Sequence, residues 1–195
     1  MKVLLDARKI SDGGIGSYTV NLAEALINSG KVNLTLIVRK KNSLPFFSWL
    51  KKVSLLELDI KPYSVEEMFV MPYKLEQNSF DLLHVPHYTL PFGAKIPTVV
   101  TIHDLIHISH PEKRYYPYVA KPLISSAVKR ASEVIAVSKA TRDELLKLVN
   151  KKNAKKITVV KNCLPVDLYN EVSKRGLAPS ILKFSPNTES YTPFI

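Results

Sequence analysis

His103 and Asp104 follow directly on an apolar run, "TVVTI", at residues 98–102. If that run is a strand of a parallel sheet, the pair emerges at its carboxyl end, where α/β proteins meet their ligands. A histidine there can donate, accept or pass a proton near neutral pH, and the adjacent acid can steady its loop. All five histidines of the 195-residue chain, His84, His87, His103, His107 and His110, lie within residues 84–110. Clustered histidines can bind metal, but this spacing matches no compact zinc signature and no thiolate is near. No metal is therefore expected. His84, His107 and His110 read as neutral hydrogen-bonding loop residues, and His103 as the one that faces substrate.

A second group with chemical potential is glycine. Three of the six glycines, Gly13, Gly14 and Gly16, fall within four residues, between the apolar "KVLLD" and an amphipathic stretch. A glycine-rich turn from a first strand into a first helix lets backbone N–H groups approach a phosphate, and the helix terminus adds partial positive charge. A nucleoside triphosphatase loop is excluded, because Gly16 is followed by Ser17 and Tyr18 where Lys and Ser or Thr are needed. Gly14-Ile15-Gly16 begins a dinucleotide fingerprint, but Thr19 stands in its third glycine position. Arg39, Lys40 and Lys41 would suit a 2′-phosphate, so an NADP-type domain stays open as a weaker alternative.

These residues require a scaffold of alternating elements. Strand-like runs occur at 2–6, 32–38, 53–59, 81–85, 98–102, 133–137 and 157–160. Most are continuously apolar, as strands covered on both faces of a parallel sheet must be. Helical patterns occupy 16–28, 64–78, 118–131 and 139–150. Ser64 with Glu67 forms a capping-box pair, and Ser138 is placed to cap the last helix. The alternation predicts an α/β fold with a doubly wound, mostly parallel sheet. The domain is expected to span residues 1–165, with 166–195, rich in proline, as a linker or truncated tail.

The net charge of +11 and pI near 9.6 favour anionic partners. Nucleic acid is not expected, since the aromatics form no interleaved stacking platform. One stretch, "PFFSWLKK", sets Phe46, Phe47 and Trp49 beside Lys51 and Lys52. It has two readings: a peripheral contact with anionic lipid, or a short helix packing its rings on the sheet. A single cysteine, Cys163, and a charged residue as early as Asp6 point to a reducing compartment without a signal peptide. The expected location is cytoplasmic, with a peripheral membrane contact at the inner face as the extension of the lipid reading.

Five stretches occur in order: "GGIGSYTVNLAEAL", "FDLLHVPHYTLP", "PTVVTIHDLIHISHPE", "ASEVIAVSKATRDEL" and "ITVVKNCLP". Together they resemble the N-terminal half of a glycosyltransferase family 4 enzyme, one Rossmann-like half of a GT-B fold. The resemblance implies a retaining transfer of a sugar from a nucleotide-sugar donor, with no other cofactor. It places the donor diphosphate against Gly13, Gly14 and Gly16, with Ser138, Lys139 and Arg142 at the corner before the last helix. His103 and Asp104 take the catalytic positions. The implied acceptor is a sugar or lipid-linked molecule held by this half. The family's paired glutamates of the nucleotide-binding half have no counterpart, and Asn162-Cys163 stands where "NG" is usual. The expectation is an acceptor-side half, inactive without a C-terminal nucleotide-binding domain, here absent or on a separate polypeptide. The alternative is a non-catalytic basic module that binds a phosphorylated ligand or nucleotide.

Overall fold

The computed structural model describes residues 1–41, 44–76 and 79–162, of which Met1–Val160 pack as one unit. The predicted boundary at 165 and the tail 166–195 lie outside the described residues. Seven strands form one parallel sheet: β1 Lys2–Asp6, β2 Asn33–Val38, β3 Ser54–Glu57, β4 Leu82–Val85, β5 Thr98–Ile102, β6 Glu133–Ala136 and β7 Ile157–Val159. Their spatial order is β3-β2-β1-β4-β5-β6-β7. The chain builds outward from β1 to β3, then returns beside β1 and builds outward again to β7. The reversal lies between β1 and β4, so a crevice is expected above their carboxyl ends.

Alternation along the strands explains why the runs are apolar throughout. Val3 and Leu5 of β1, with Leu34, Leu36 and Val38 of β2, pack on one face beneath α1, Gly13–Ser29. Leu4, Ile37, Leu83, Val100, Ile102 and Val134 point to the other. That face is covered by α5, Tyr116–Arg130, through Ala120, Ile124, Ala127 and Val128. A strand buried on both sides has no polar side to show.

The connections are more broken than the periodicity predicts. The stretch 64–78 forms two short helices, α2 Val65–Phe69 and α3 Met71–Glu76. A four-residue α4, Ile106–Ser109, precedes α5; α6, Lys139–Leu146, stops short of the predicted end at 150, and a separate α7, Lys151–Ala154, follows it. A 3₁₀ turn covers Ser48–Lys52.

That turn bears on the two readings of residues 46–52, and for Trp49 and Phe47 it favours packing over lipid contact. Trp49 is buried and stacks on Phe47 at 5.0 Å between ring centres, and both join the core under α1. Lys51 and Lys52 are exposed, but of the three rings only Phe46 faces solvent. Trp49 and Phe47 are thus used in the core, as the packing reading expected, while Phe46, Lys51 and Lys52 stay outside it.

Candidate functional site

The residues singled out for chemistry converge at the carboxyl edge, chiefly through α1 and the ends of β5 and β6. Tyr18, one turn into α1, meets the His103 ring edge-on at 4.9 Å. The Tyr18 hydroxyl lies 3.0 Å from Thr101 Oγ1, which lies 2.8 Å from His84 Nε2. His84 is buried, and burial followed by the nearby His103 lowers its pKa to about 4. It is a neutral support beneath the edge, and it lies within β4 rather than in the loop where the sequence reading put it.

His103 is half-buried. Its Nε2 is 3.2 Å from the Pro86 carbonyl, which can only accept, so Nε2 carries the proton and Nδ1 keeps the lone pair. Burial pulls its pKa below the usual imidazole value, against the opposing effects of the Pro86 carbonyl and the Asp104 charge. Asp104 is exposed, and its Oδ1 accepts the Ile106 N–H at 3.0 Å, turning the chain into α4. The Thr141 hydroxyl donates to the His103 carbonyl at 3.0 Å, while the Thr141 N–H donates to Ser138 Oγ at the same distance. Ser138 is thus the cap of α6, committed to the helix. Lys139 is exposed, and Arg142 has only a 3.8 Å approach to Asp143.

The glycines divide into two roles. Gly13, with φ of 45°, and Gly14 have open space where a side chain would be. Asp12, the N-cap residue, makes no side-chain cap hydrogen bond; its carboxylate pairs with Lys9 at 2.7 Å. No side chain crowds the Cβ side of the turn at Gly13 and Gly14. Gly16 is buried and differs: an added Cβ would stand 2.4 Å from the Ile10 carbonyl oxygen. Its lack of a side chain serves the loop's own packing rather than a ligand. Two of the three bases that would suit a 2′-phosphate are also engaged, since Arg39 and Lys40 both pair with Asp59, while Lys41 is exposed.

A second group, missed in the sequence, occupies the crevice between β1 and β4. Arg8 binds Asp6 in two places, Nε to Oδ1 at 2.9 Å and Nη2 to Oδ2 at 2.6 Å, and the same Nη2 bonds Glu67 Oε1. His87 Nε2 lies 3.3 Å from Asp6 Oδ2 and 3.8 Å from Glu67 Oε1, without hydrogen-bond alignment to a partner. All four side chains are buried. Burial alone would raise the Asp6 carboxyl; the Arg8 guanidinium and His87 override it and hold it well below the usual carboxylate range. Ligand atoms of Asp6, Glu67 and His87 come within 4.8 Å of one another, near enough for a metal. Arg8 Nη2 already bridges both carboxylates, so the cation of this cluster is the guanidinium.

Glu67 reaches outward as well. Its Oε2 accepts the Tyr63 N–H at 2.7 Å, and its own N–H donates to Ser64 Oγ at 3.1 Å. The capping-box pair exists, but the carboxylate serves the residue before the cap. Tyr63 has a φ of 62°, which a bulky residue adopts only when its surroundings impose it. Its ring begins a row along the edge: Tyr63 to Tyr88 at 5.6 Å, Tyr88 to His107 at 6.0 Å and His107 to Tyr116 at 5.3 Å. No periodicity announces this row, because its members come from four separate loops and helix ends. The one available signal was Asp6 and Arg8, charged residues closing an apolar strand.

Comparison with known proteins fits this geometry. The family profile described as Glycosyltransferase Family 4 matches residues 12–168. No curated protein sequence matches. Among solved structures, the chain is similar to Alr3699/HepE of Anabaena, crystallised with UDP-glucose, at 18% identity and a TM-score of 0.59, covering 91% of this chain and 50% of that one. A glycosyltransferase from Rickettsia africae ESF-5 matches at 14% identity and a TM-score of 0.51, over 92% of this chain and 50% of the other. The lipopolysaccharide outer core galactosyltransferase WaaB matches at 17% identity and a TM-score of 0.54, over 84% and 46%. The chain thus spans about half the length of the structures it matches.

Proposed function

Because the chain belongs to glycosyltransferase family 4, we propose that it supplies the acceptor-side half of a retaining hexosyltransferase that uses a nucleotide-sugar donor. The observation that carries this reading is the pairing of the open Gly13–Gly14 turn with half-buried His103, linked through Tyr18. The N–H groups of that turn meet the donor diphosphate as it departs, where developing negative charge is stabilised by fixed donors. Arg142 and Lys139 add positive charge from the start of α6. His103, neutral near pH 7, presents an imidazole to the donor sugar. The row from Tyr63 to Tyr116 offers ring faces and phenol groups to the acceptor, a sugar or lipid-linked sugar. Asp104 positions the loop.

In this scheme the chain contributes no nucleophile. Transfer with retention leaves the departing diphosphate to take the acceptor's proton on the same face, so the catalytic gain is positioning and electrostatics. The nucleotide itself is held by a second half, and the 195 residues alone are expected to transfer no sugar. The complex of the Anabaena neighbour supports UDP-glucose as the first donor to try. Titration of the isotope-labelled chain with UDP-glucose, followed by amide and imidazole resonances, tests the site. Weak binding should move Gly13, Gly14, Ile15 and His103 together. Shifts confined to other surfaces would overturn it.

A further inference from the structure

One patch of the sheet is polar where its surroundings are apolar. In β4 and β5, Leu83, Val85, Val100 and Ile102 point to the face covered by α5. His84 and Thr101 alternate with them and so point to the opposite face, beneath α1. Along the adjacent β1 and β2 that face is lined by Val3, Leu5, Leu34 and Leu36. His84 and Thr101 are both buried, and a buried polar group costs stability unless it is hydrogen-bonded. Here His84 Nε2 lies 2.8 Å from Thr101 Oγ1, which lies 3.0 Å from the Tyr18 hydroxyl. Apolar side chains of the same shape would fill this space at little or no loss of stability. They would not fix the direction of the third member, because a hydrogen bond has a set length and angle and apolar packing does not.

That third member ends on His103. Tyr18 is half-buried on α1, and its ring meets the His103 imidazole with 4.9 Å between ring centres and 87° between planes. Two further contacts hold His103: the Thr141 hydroxyl donates to its backbone carbonyl, and the Pro86 carbonyl lies 3.2 Å from Nε2. The first fixes the main chain and leaves the side chain free to turn. The second is a single hydrogen bond about which a ring can pivot. Tyr18 supplies the wall that stops the pivot. Of these three contacts it is the one that comes from α1, the helix that begins at Gly13 and Gly14. Tyr18 meets the imidazole with its ring while its hydroxyl is turned to Thr101, so the chain from His84 transmits position and not a proton.

We propose that Tyr18 is the positioning residue of His103: anchored through Thr101 to His84, its ring fixes the plane of the imidazole relative to the turn at Gly13 and Gly14. The proposal rests on the reading of His103 as the residue that faces the donor sugar. Tyr18 acts through His103 and need not touch the substrate. The gain is pre-organisation, since a side chain that is already ordered costs nothing further when a ligand arrives.

The experiment compares the full chain with Tyr18→Phe, which keeps the ring and loses its anchor, and Tyr18→Leu, which loses both. Three-bond couplings about the His103 Cα–Cβ bond report its rotamer without any ligand. The parent should show one rotamer, Tyr18→Phe partial averaging and Tyr18→Leu full averaging. The charged and titratable groups near the imidazole, Asp104, His84 and His87, are unaltered in both variants. In titrations with UDP-glucose, Tyr18→Leu should bind about five- to tenfold more weakly and Tyr18→Phe about two- to threefold, the cost of ordering one side chain on binding. Gly13 and Gly14 should still respond in both variants, while the His103 response shrinks. A single His103 rotamer in Tyr18→Leu overturns the proposal, and so does a Tyr18→Phe chain that matches the parent in rotamer and affinity. Equal loss of the glycine and His103 responses together with a lowered melting temperature also overturns it, because Tyr18 would then only hold the fold. A parent chain that ignores UDP-glucose sinks the transfer reading instead, and the ligand-free rotamer comparison still decides whether Tyr18 positions His103.

Discussion

Two strand ends on the same edge of the sheet have been given opposite treatment. At β1 an acid, Asp6, is buried and bound by Arg8, with Glu67 and His87 filling the remaining sides. At β5 an acid, Asp104, is exposed and makes a single turn contact to Ile106, while the histidine before it stays half-buried. The first is closed: each charge is used by another residue of the chain, and the output is the fixed position of Tyr63. The second is open: His103 meets Tyr18 of α1 on one side and is held through its carbonyl by Thr141 of α6 on the other, with the Asp104 carboxylate turned to solvent. Proximity to a strand's carboxyl end therefore does not by itself make an acid catalytic. What its charge is already committed to decides.

The largest effect should come from breaking the closed end. Arg8→Met removes the cation and leaves two buried carboxylates facing each other, a loss of about 3–5 kcal/mol in unfolding stability. Adding Asp6→Asn and Glu67→Gln should restore much of it, because the uncompensated charges are then gone. Denaturant unfolding of the three chains measures this. If Arg8→Met unfolds at the parent midpoint, the cluster does not lock the crevice.

Next in size is Gly16→Ala. The new Cβ must displace the Ile10 carbonyl, costing about 3 kcal/mol. Gly14→Ala enters open space at a helix start and should leave stability within about 0.5 kcal/mol, while weakening any diphosphate contact there. Melting temperatures of the pair, with the UDP-glucose titration repeated on Gly14→Ala, separate the two roles. Equal destabilisation of both variants would erase the distinction between a packing glycine and a ligand-facing one.

The support beneath the edge has its own pH signature. His84 is neutral in the folded chain down to about pH 4, whereas unfolded histidine takes a proton near 6.5. Between those values the unfolded state binds more protons, so stability is full above about 6.5 and falls as the pH drops toward 4. About 2 kcal/mol should be lost between pH 7.5 and 5 from this residue. His84→Gln should flatten that part of the profile. A parent chain with constant stability from pH 7.5 to 5 would show that His84 is not buried as a neutral ring.

The positions of the strands along the chain, the parallel sheet implied by their alternation with helices, and the family stretches after β1 and β5 were legible because they are local; the order of the strands across the sheet was not read from the sequence. An apolar run, a glycine turn and a histidine after a strand each occupy a few adjacent residues. The closed end was not legible, since Asp6 and Arg8 meet Glu67 and His87 from far along the chain, and nothing in spacing announces that contact. Trp49 and Phe47 left two readings open, lipid contact or packing on the sheet, for the opposite reason. Aromatics beside lysines look alike in sequence whether the rings enter a core or stay outside it, and only the fold tells Trp49 from Tyr118.

The smallest effect tests the open end most closely. Asp104 contributes one exposed hydrogen bond, and asparagine retains an oxygen that can accept the Ile106 N–H, so Asp104→Asn should change stability by less than about 0.5 kcal/mol. Its charge, however, acts on His103, raising a pKa that burial lowers. Removing that charge should move the His103 pKa further down. The ring then remains the Nε2–H tautomer over a wider pH range, held by the Pro86 carbonyl, with Nδ1 as acceptor. Titration of the His103 ring resonance in parent and variant gives the answer directly. A downward shift without a change in melting means that Asp104 tunes the histidine as well as turning the loop. An unchanged titration would confine Asp104 to the turn, and the open end would then act through His103 and the glycines without an acid partner.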